Sequence, residues 1–400
     1  MKKILFVIQS IGFGGSMTSL INLLEFLKDN QNISIDVLIM DRYGELLGQI
    51  KEVAHVLPEN RPLQAVSAPR NKLLKLRRFD LLVIRCIYAM IGKIYGETTE
   101  NVAFKYAAKS FSNYYDCVIA YQESIATNFV SFVKADKKIA WVHNDFENVC
   151  KLYNGIDKMN YIYSMFDRIV CVSKASQKNF RAGLNFRSDY IDYIYNTLNE
   201  DIIKRKAVVP VEQIISTKND LYQKLCQNKI FKFVSSGRIV RQKRFDRVIQ
   251  AAKILKMQGI EFFWFIIGDG QLYSEISEMI ANEKLENYVF LTGGLKNPFP
   301  IVNYCDAFVL TSDFEAHPMV ANEALILGKP VITTSFESAK EVVVDEKNGL
   351  ICEMTSESIA FACKKLVENK SLFFNLQAEV NHFHYCNDTI IRKVLKLIGE

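Results

Sequence analysis

A strand, a loop with one proline, a helix and a second strand follow one another between Ala307 and Thr334, and no other stretch constrains the fold so tightly. Ala307-Phe308-Val309-Leu310 and Val331-Ile332-Thr333-Thr334 are short apolar runs of the kind buried in a parallel sheet. Between them stands Thr311-Ser312-Asp313-Phe314-Glu315-Ala316-His317-Pro318-Met319-Val320-Ala321-Asn322-Glu323-Ala324-Leu325. Pro318 suits a first helical turn and Gly328 a helix end, which predicts a helix from about Pro318 to Leu327. Glu315 then lies in the loop and Glu323 in the helix. Free backbone N–H groups are expected near Met319 and Val320, where a helix start attracts phosphate. A carboxylate further along can accept hydrogen bonds from a pair of hydroxyls.

The chain has 400 residues, more than one ordinary core holds, so two domains of roughly 200 residues each are expected. Apolar content of 49% and charge of 24% describe a soluble globular protein. The opening apolar run stops at Gln9 and leads into Gly12-Phe13-Gly14-Gly15 with no small-residue cleavage site, so Lys2 to Gln9 reads as a first strand and not a signal peptide. No stretch reaches the roughly 18 apolar residues of a spanning helix. Nine cysteines without a Cys-x-x-Cys pair argue for a reducing cytoplasm and against a disulfide frame or a zinc site. A net charge of +6 is modest for this length and does not point to nucleic acid.

Strand and helix alternate along the rest of the chain. After the glycine turn, Ser16 or Thr18 can cap a helix carrying Leu20, Leu23, Leu24 and Leu27. A dinucleotide fingerprint would need glycine at position 17, where the chain has Met17, which disfavours an oxidoreductase. Between Arg70 and Lys93 seven basic residues face one acidic residue, Asp80, so this stretch carries as much net charge as the whole chain, +6. Two readings stand side by side here: an anionic membrane surface, or a core helix with a solvated basic start. Leu82, Val83 and Ile87 fall outside the Leu81-Ile84-Tyr88-Ile91 face, so the amphipathic pattern is poor. Asp116 to Tyr121 and Lys138 to His143 read as buried strands, and weak periodicity from about Thr197 to Lys229 suggests an interdomain connection. Phe231 to Ser235 restarts the alternation and leads into Arg238, Arg241, Lys243 and Arg244; Glu261 to Gly268 ends in the turn Gly268-Asp269-Gly270.

Glu315 and Glu323 around a helix start after a buried strand, with Glu-Ala-Leu and Gly-Lys-Pro-Val-Ile behind, resemble the signature of the retaining glycosyltransferases of family four. These bacterial-type glycan-assembly enzymes have the GT-B fold, an α/β architecture of two Rossmann-like domains facing across a cleft. The resemblance covers nearly the whole chain, strongly after Phe231. It implies an N-terminal acceptor domain over residues 1–200, a nucleotide-sugar domain over 201–384, and a C-terminal helix, 385–400, returning to the first domain. It implies that Arg238 and Lys243 grip the donor diphosphate, that Gly14 and Gly15 lie under it, and that Gly268 stands near the nucleotide. Met319 and Val320 would add backbone donors, Glu323 would hold the ribose, and Glu315 and His143 would address the sugar. Arg244 departs from the glycine common at its position, and Ser16-Met17-Thr18 from the usual small-acidic-basic run.

The implied reaction is hexosyl transfer with retention from a nucleoside diphosphate sugar, uridine favoured over guanosine, to a lipid-linked or polymeric cell-surface glycan. No cofactor is implied, and with no Asp-x-Asp in the chain no metal either. A sugar-nucleotide epimerase or hydrolase, or a silent partner subunit of a glycosyltransferase, are the rival readings. The implied location is cytoplasmic, on the inner face of the membrane if Arg70 to Lys93 bind it.

Overall fold

The computed structural model describes residues 1–12, 14–123, 125–185, 188–215 and 219–399. They divide into two compact units, Met1–Leu198 with Cys386–Glu400, and Asn199–Tyr385. The first is built on seven strands: β1 (Lys2–Ser10), β2 (Ile33–Asp41), β3 (His55–Val56), β4 (Cys117–Ala120), β5 (Lys137–Val142), β6 (Arg168–Cys171) and β7 (Ile191–Tyr193). All pair in parallel, in the order β3-β2-β1-β4-β5-β6-β7. Leu5, Val7, Leu38, Met40, Val118 and Ala120 join one core cluster with Phe104, Phe129 and Phe180, while the alternate residues Ile4, Phe6, Ile39 and Ile119 are buried as well. Both faces of the sheet are therefore covered, which is why its strands read as unbroken apolar runs.

The second unit repeats the plan with β8 (Phe231–Ser236), β9 (Phe262–Ile267), β10 (Val289–Gly293), β11 (Ala307–Leu310), β12 (Val331–Thr334) and β13 (Gly349–Cys352), in the order β10-β9-β8-β11-β12-β13. Phe233, Trp264 and Val309 face one core; Val234, Phe265 and Phe308 face another on the opposite side of the sheet. A buried polar chain crosses the middle of the sheet, from Trp264 Nε1 to Ser235 Oγ (3.0 Å) and from Ser235 Oγ to the Val309 carbonyl (2.7 Å). In each unit the strand order reverses, between β1 and β4 and between β8 and β11. At such a switch point the connections leave in opposite directions and the strand ends open a crevice.

Two local expectations are corrected. Neither Ser16 nor Thr18 caps the helix Gly15–Leu27: extended Gly14 begins it, and the Gly14 carbonyl accepts from Met17 and Thr18. Phe13 of the glycine turn lies outside the described residues. The crossing between the units falls at Leu198–Asn199, inside the stretch 197–229, but the rest of that stretch belongs to the second unit: it holds the helices Glu200–Ala207, Glu212–Ile215 and Asn219–Leu225, with Val211, Ile215, Leu221 and Leu225 in that unit's core. Helices this short show too few turns for their periodicity to stand out; residues 216–218 lie outside the described set. His55 and Val56 form the two-residue strand β3 at the sheet edge.

The helix Asn387–Ile398 belongs to the first unit, burying Ile390, Val394, Leu397 and Ile398 and placing Lys393 3.8 Å from the centre of the Tyr193 ring. The chain leaves that unit and re-enters it at one spot. Asn387 Nδ2 donates to the Leu198 carbonyl (2.6 Å), and the Tyr385 N–H donates to Glu200 Oε1 (2.6 Å). Among the described residues no helix is long and apolar enough to cross a membrane.

Candidate functional site

In the second unit the loops after β8 and β11 leave adjacent strand ends at the switch point, and they are stitched together. Thr311 Oγ1 donates to the carbonyls of Lys243 (2.8 Å) and Arg244 (3.1 Å), Gln242 Nε2 to the Phe314 carbonyl (2.8 Å), and the Asp313 N–H to the Gln242 carbonyl (2.9 Å). On this frame Lys243 Nζ meets Glu315 Oε1 at 2.6 Å, and Ser312 Oγ donates to the same oxygen at 2.6 Å. The two charged side chains are 15% and 10% exposed, so the pair is only weakly screened by water. Arg238, from the same loop as Lys243, is exposed, and no hydrogen bond or ion pair of its guanidinium is found among the described residues. The structure thus pairs Lys243 with Glu315 and gives the Arg238 guanidinium no such partner among the described residues.

Arg244 adopts the left-handed conformation (φ 51°), which accounts for the glycine that the family resemblance leads one to expect there. Its guanidinium bridges Asp246 (2.8 Å) and Asp313 (3.2 Å), and Arg247 adds a 2.7 Å contact to Asp313. Burial pushes the Asp246 carboxyl up, but the contact with Arg244 outweighs it and holds the group below its ordinary value. Gly268 is required by packing within the unit: a Cβ there would stand 1.9 Å from the Gly237 carbonyl oxygen.

The helix after the Glu315 loop spans Met319–Ile326 and ends at Leu327, with Gly328 left-handed behind it (φ 73°). One expectation at its start is corrected. The Met319 N–H is not free but turns back to the His317 carbonyl (2.9 Å), because Pro318 (φ −77°, ψ 82°) sits in an inverse γ-turn. The Val320 N–H has no backbone acceptor among the described residues. Glu323 is half-buried; loss of hydration raises its carboxyl to about 7, opposed by the pull of Lys206 and Lys243. Lys206, on the helix Glu200–Ala207, was invisible as a neighbour of Glu323 because only the tertiary fold joins them. His317 is buried, which pushes its imidazole down to about 4 and keeps it neutral near pH 7.

In the first unit the glycine turn follows β1, and His143 follows β5. Among the described residues no protein atom outside the local chain lies within 4 Å of a Cβ built on Gly14, so packing does not demand glycine there. Gly15 opens the helix Gly15–Leu27. His143 is half-buried, its ring 4.8 Å from that of Tyr121. Its backbone N–H donates to Glu123 Oε1, as does that of Asn144 at 2.7 Å. Glu123 is buried, and dehydration raises its carboxyl against the lowering effect of these N–H groups. Sequence reasoning missed Glu123; an acidic residue just past a fully apolar strand was the one available signal. Tyr121 Oη and Ser19 Oγ lie 3.0 Å apart, and Ser19 Oγ donates to Asn196 Oδ1 (3.0 Å), which ties the glycine-turn helix to the end of β4 and the segment after β7.

Residues 218–383 match the family described as Glycosyl transferases group 1. The uncharacterized glycosyltransferase MJ1059 of Methanocaldococcus jannaschii is 27% identical over 53% of this chain and 52% of its own length. The chain spans about half the length of that relative and of MJ1178 from the same organism. The N-acetylgalactosamine-N,N'-diacetylbacillosaminyl-diphospho-undecaprenol 4-alpha-N-acetylgalactosaminyltransferase of Campylobacter jejuni subsp. jejuni is 23% identical over 93% of this chain and 92% of its own. Anabaena Alr3699/HepE, solved in complex with UDP and glucose, shares the fold with a TM-score of 0.74 over 100% of both chains at 19% identity. With two Rossmann-like units the chain has the GT-B fold, and over residues 218–383 it carries a glycosyltransferase domain of group 1.

Proposed function

We propose that the protein is a retaining glycosyltransferase of family four. It moves a hexosyl group from a nucleoside diphosphate sugar, with UDP favoured over GDP, to a hydroxyl of a lipid-linked or polymeric cell-surface glycan. The observation that carries this reading is the Lys243–Glu315 pair at the switch point of the second sheet, an ammonium held ready beside a carboxylate where two loops meet. In this reading Lys243 and exposed Arg238 stabilise the charge that grows on the departing diphosphate, Val320 adds a backbone N–H, and Glu323 holds the ribose hydroxyls. Glu315 and His143 address the transferred sugar, and the leaving phosphate oxygen takes the acceptor's proton. Two relatives support the substrate class: the Campylobacter enzyme is named for a diphospho-undecaprenol acceptor, and the Anabaena protein was solved with UDP and glucose. The enzyme works in the cytoplasm, held on the anionic inner face of the membrane through the basic segment from Arg70 to Lys93.

The first test is thermal stabilisation by a panel of UDP- and GDP-sugars. A true donor at 100 times its dissociation constant adds about 2.7 kcal/mol. The anomeric configuration of the product, read by NMR, then decides retention. Release of free sugar at the same rate with and without acceptor would show a hydrolase instead.

A further inference from the structure

The helix Phe79–Tyr95 is apolar on two opposite faces. Its inner face carries Leu81, buried with Ala65, Ala68 and Leu73 in a small satellite core, and Tyr88, which packs on the main core of the first unit. Its outer face carries Phe79, Val83, Ile87, Met90 and Ile94, at three- and four-residue spacing and all exposed, from 44% for Ile87 to 76% for Ile94. Val83 and Ile87, which spoil the amphipathic pattern when one face is counted, belong to this second stripe. A helix apolar all round is stable in water only when both faces are covered. The charges beside the stripe identify the cover. Arg70, Lys75, Arg77 and Lys93 are exposed, and Asp80, the sole acid among them, is already bonded by Arg61 (2.8 Å) and Arg78 (3.0 Å). A second copy docking on this face would bring those cations against their own kind. An anionic lipid surface supplies both the apolar layer and the countercharge.

We infer that the outer face of the helix Phe79–Tyr95 inserts into the headgroup boundary of an anionic bilayer, with Phe79, Val83, Met90 and Ile94 toward the acyl chains and Lys75, Arg77 and Lys93 on the phosphates. The inference rests on the membrane attachment proposed above and changes its nature, from charge alone to charge plus apolar insertion. At about 25 Å, the length of a 17-residue helix, the stripe lies in the membrane plane and does not cross it.

The test is flotation of the full chain with phosphatidylcholine vesicles, with and without phosphatidylglycerol, for wild type and the double variant Met90→Ser/Ile94→Ser. Both positions are exposed, so the variant should keep the wild-type circular dichroism and melting temperature. Wild type should float with the anionic vesicles and stay partly bound in about 1 M salt, where charges are screened beyond about 3 Å. The variant should partition about tenfold less for each side chain removed. A variant that binds like wild type, together with full release of wild type by salt, leaves the attachment purely electrostatic: the inference fails and the attachment stands. Absence of wild-type flotation at any salt removes both. A wild-type dimer in solution that the double variant dissolves would show that a second copy covers the stripe, and would overturn the inference.

Discussion

Lowering the pH from about 8 to about 6 should weaken donor binding about tenfold through Glu323 alone. Its carboxyl is raised from 4.5 to about 7 by lost hydration, with Lys206 and Lys243 pulling the other way. At a value near 7, roughly 90% of the group is ionised at pH 8 and roughly 10% at pH 6. An ionised carboxylate can accept from two ribose hydroxyls at once, whereas a protonated one has become a donor on one oxygen and loses a partner. If the ionised form carries the affinity, the dissociation constant follows the ionised fraction. Stability must move in the opposite direction. The folded-state value lies above the unfolded one, so the native protein binds the extra proton between about 7 and 4.5, and Glu323 destabilises the fold less as the pH falls through that window. His317, pushed down to about 4, does not titrate between pH 6 and 8. The assay is calorimetric titration with a UDP-sugar, whose diphosphate is a diester and stays ionised throughout, across that range for wild type and Glu323→Gln. The variant should bind weakly and without pH dependence. Equal wild-type affinity at pH 6 and 8, or the same slope in the variant, refutes the assignment.

Lys243→Ala should lower turnover by about 10² to 10³ and raise the donor Michaelis constant less, with wild-type transfer unchanged in excess chelator; loss of activity to chelator and its return with magnesium or manganese would move the charge-bearing role to a metal. Arg244→Ala should be less stable than Arg244→Gly by about 1 kcal/mol by denaturant midpoint, since both lose the bridge to Asp313 and Asp246 but only alanine keeps the left-handed strain. Glu123→Ala leaves the His143 and Asn144 N–H groups without their carboxylate and should cost about 2 to 4 kcal/mol. Glu123→Gln keeps an oxygen there and should cost less than half as much; equal melting temperatures for the two would show that the hydrogen bonds are not what Glu123 contributes.

What the sequence disclosed and what it hid follow from the range of the interactions. Strands buried on both faces announce themselves as apolar runs, so the β8 and β11 regions were legible, as was the loop residue Glu315 between strand and helix. Packing of Lys243 against Glu315 depends on a strand order that no local pattern encodes. The Met319 N–H was misjudged because proline fixes φ and leaves ψ open, and the γ-turn depends on ψ. Of the helix Phe79–Tyr95 the inner face, Leu81-Ile84-Tyr88, was legible, but not the outer stripe, because hydropathy alone cannot say which of two apolar faces meets the core. Glu123 reaches the His143 loop across a strand pairing, a contact whose partners stand 20 and 21 positions apart in the chain.

The single doorway formed by Leu198, Glu200, Tyr385 and Asn387 sets an order of assembly. Synthesis runs from the first residue onward, yet the first unit lacks the helix Asn387–Ile398 until the whole of the second has been made. Until then Lys137, Tyr193 and the surface that Ile390 and Val394 cover stand without their last layer. The second unit has no such wait, because its two ends meet at Glu200 and Tyr385 and it can close on itself as soon as Tyr385 leaves the ribosome. The unit begun first is finished last: the second is complete in sequence at Tyr385, before the helix that closes the first has been made.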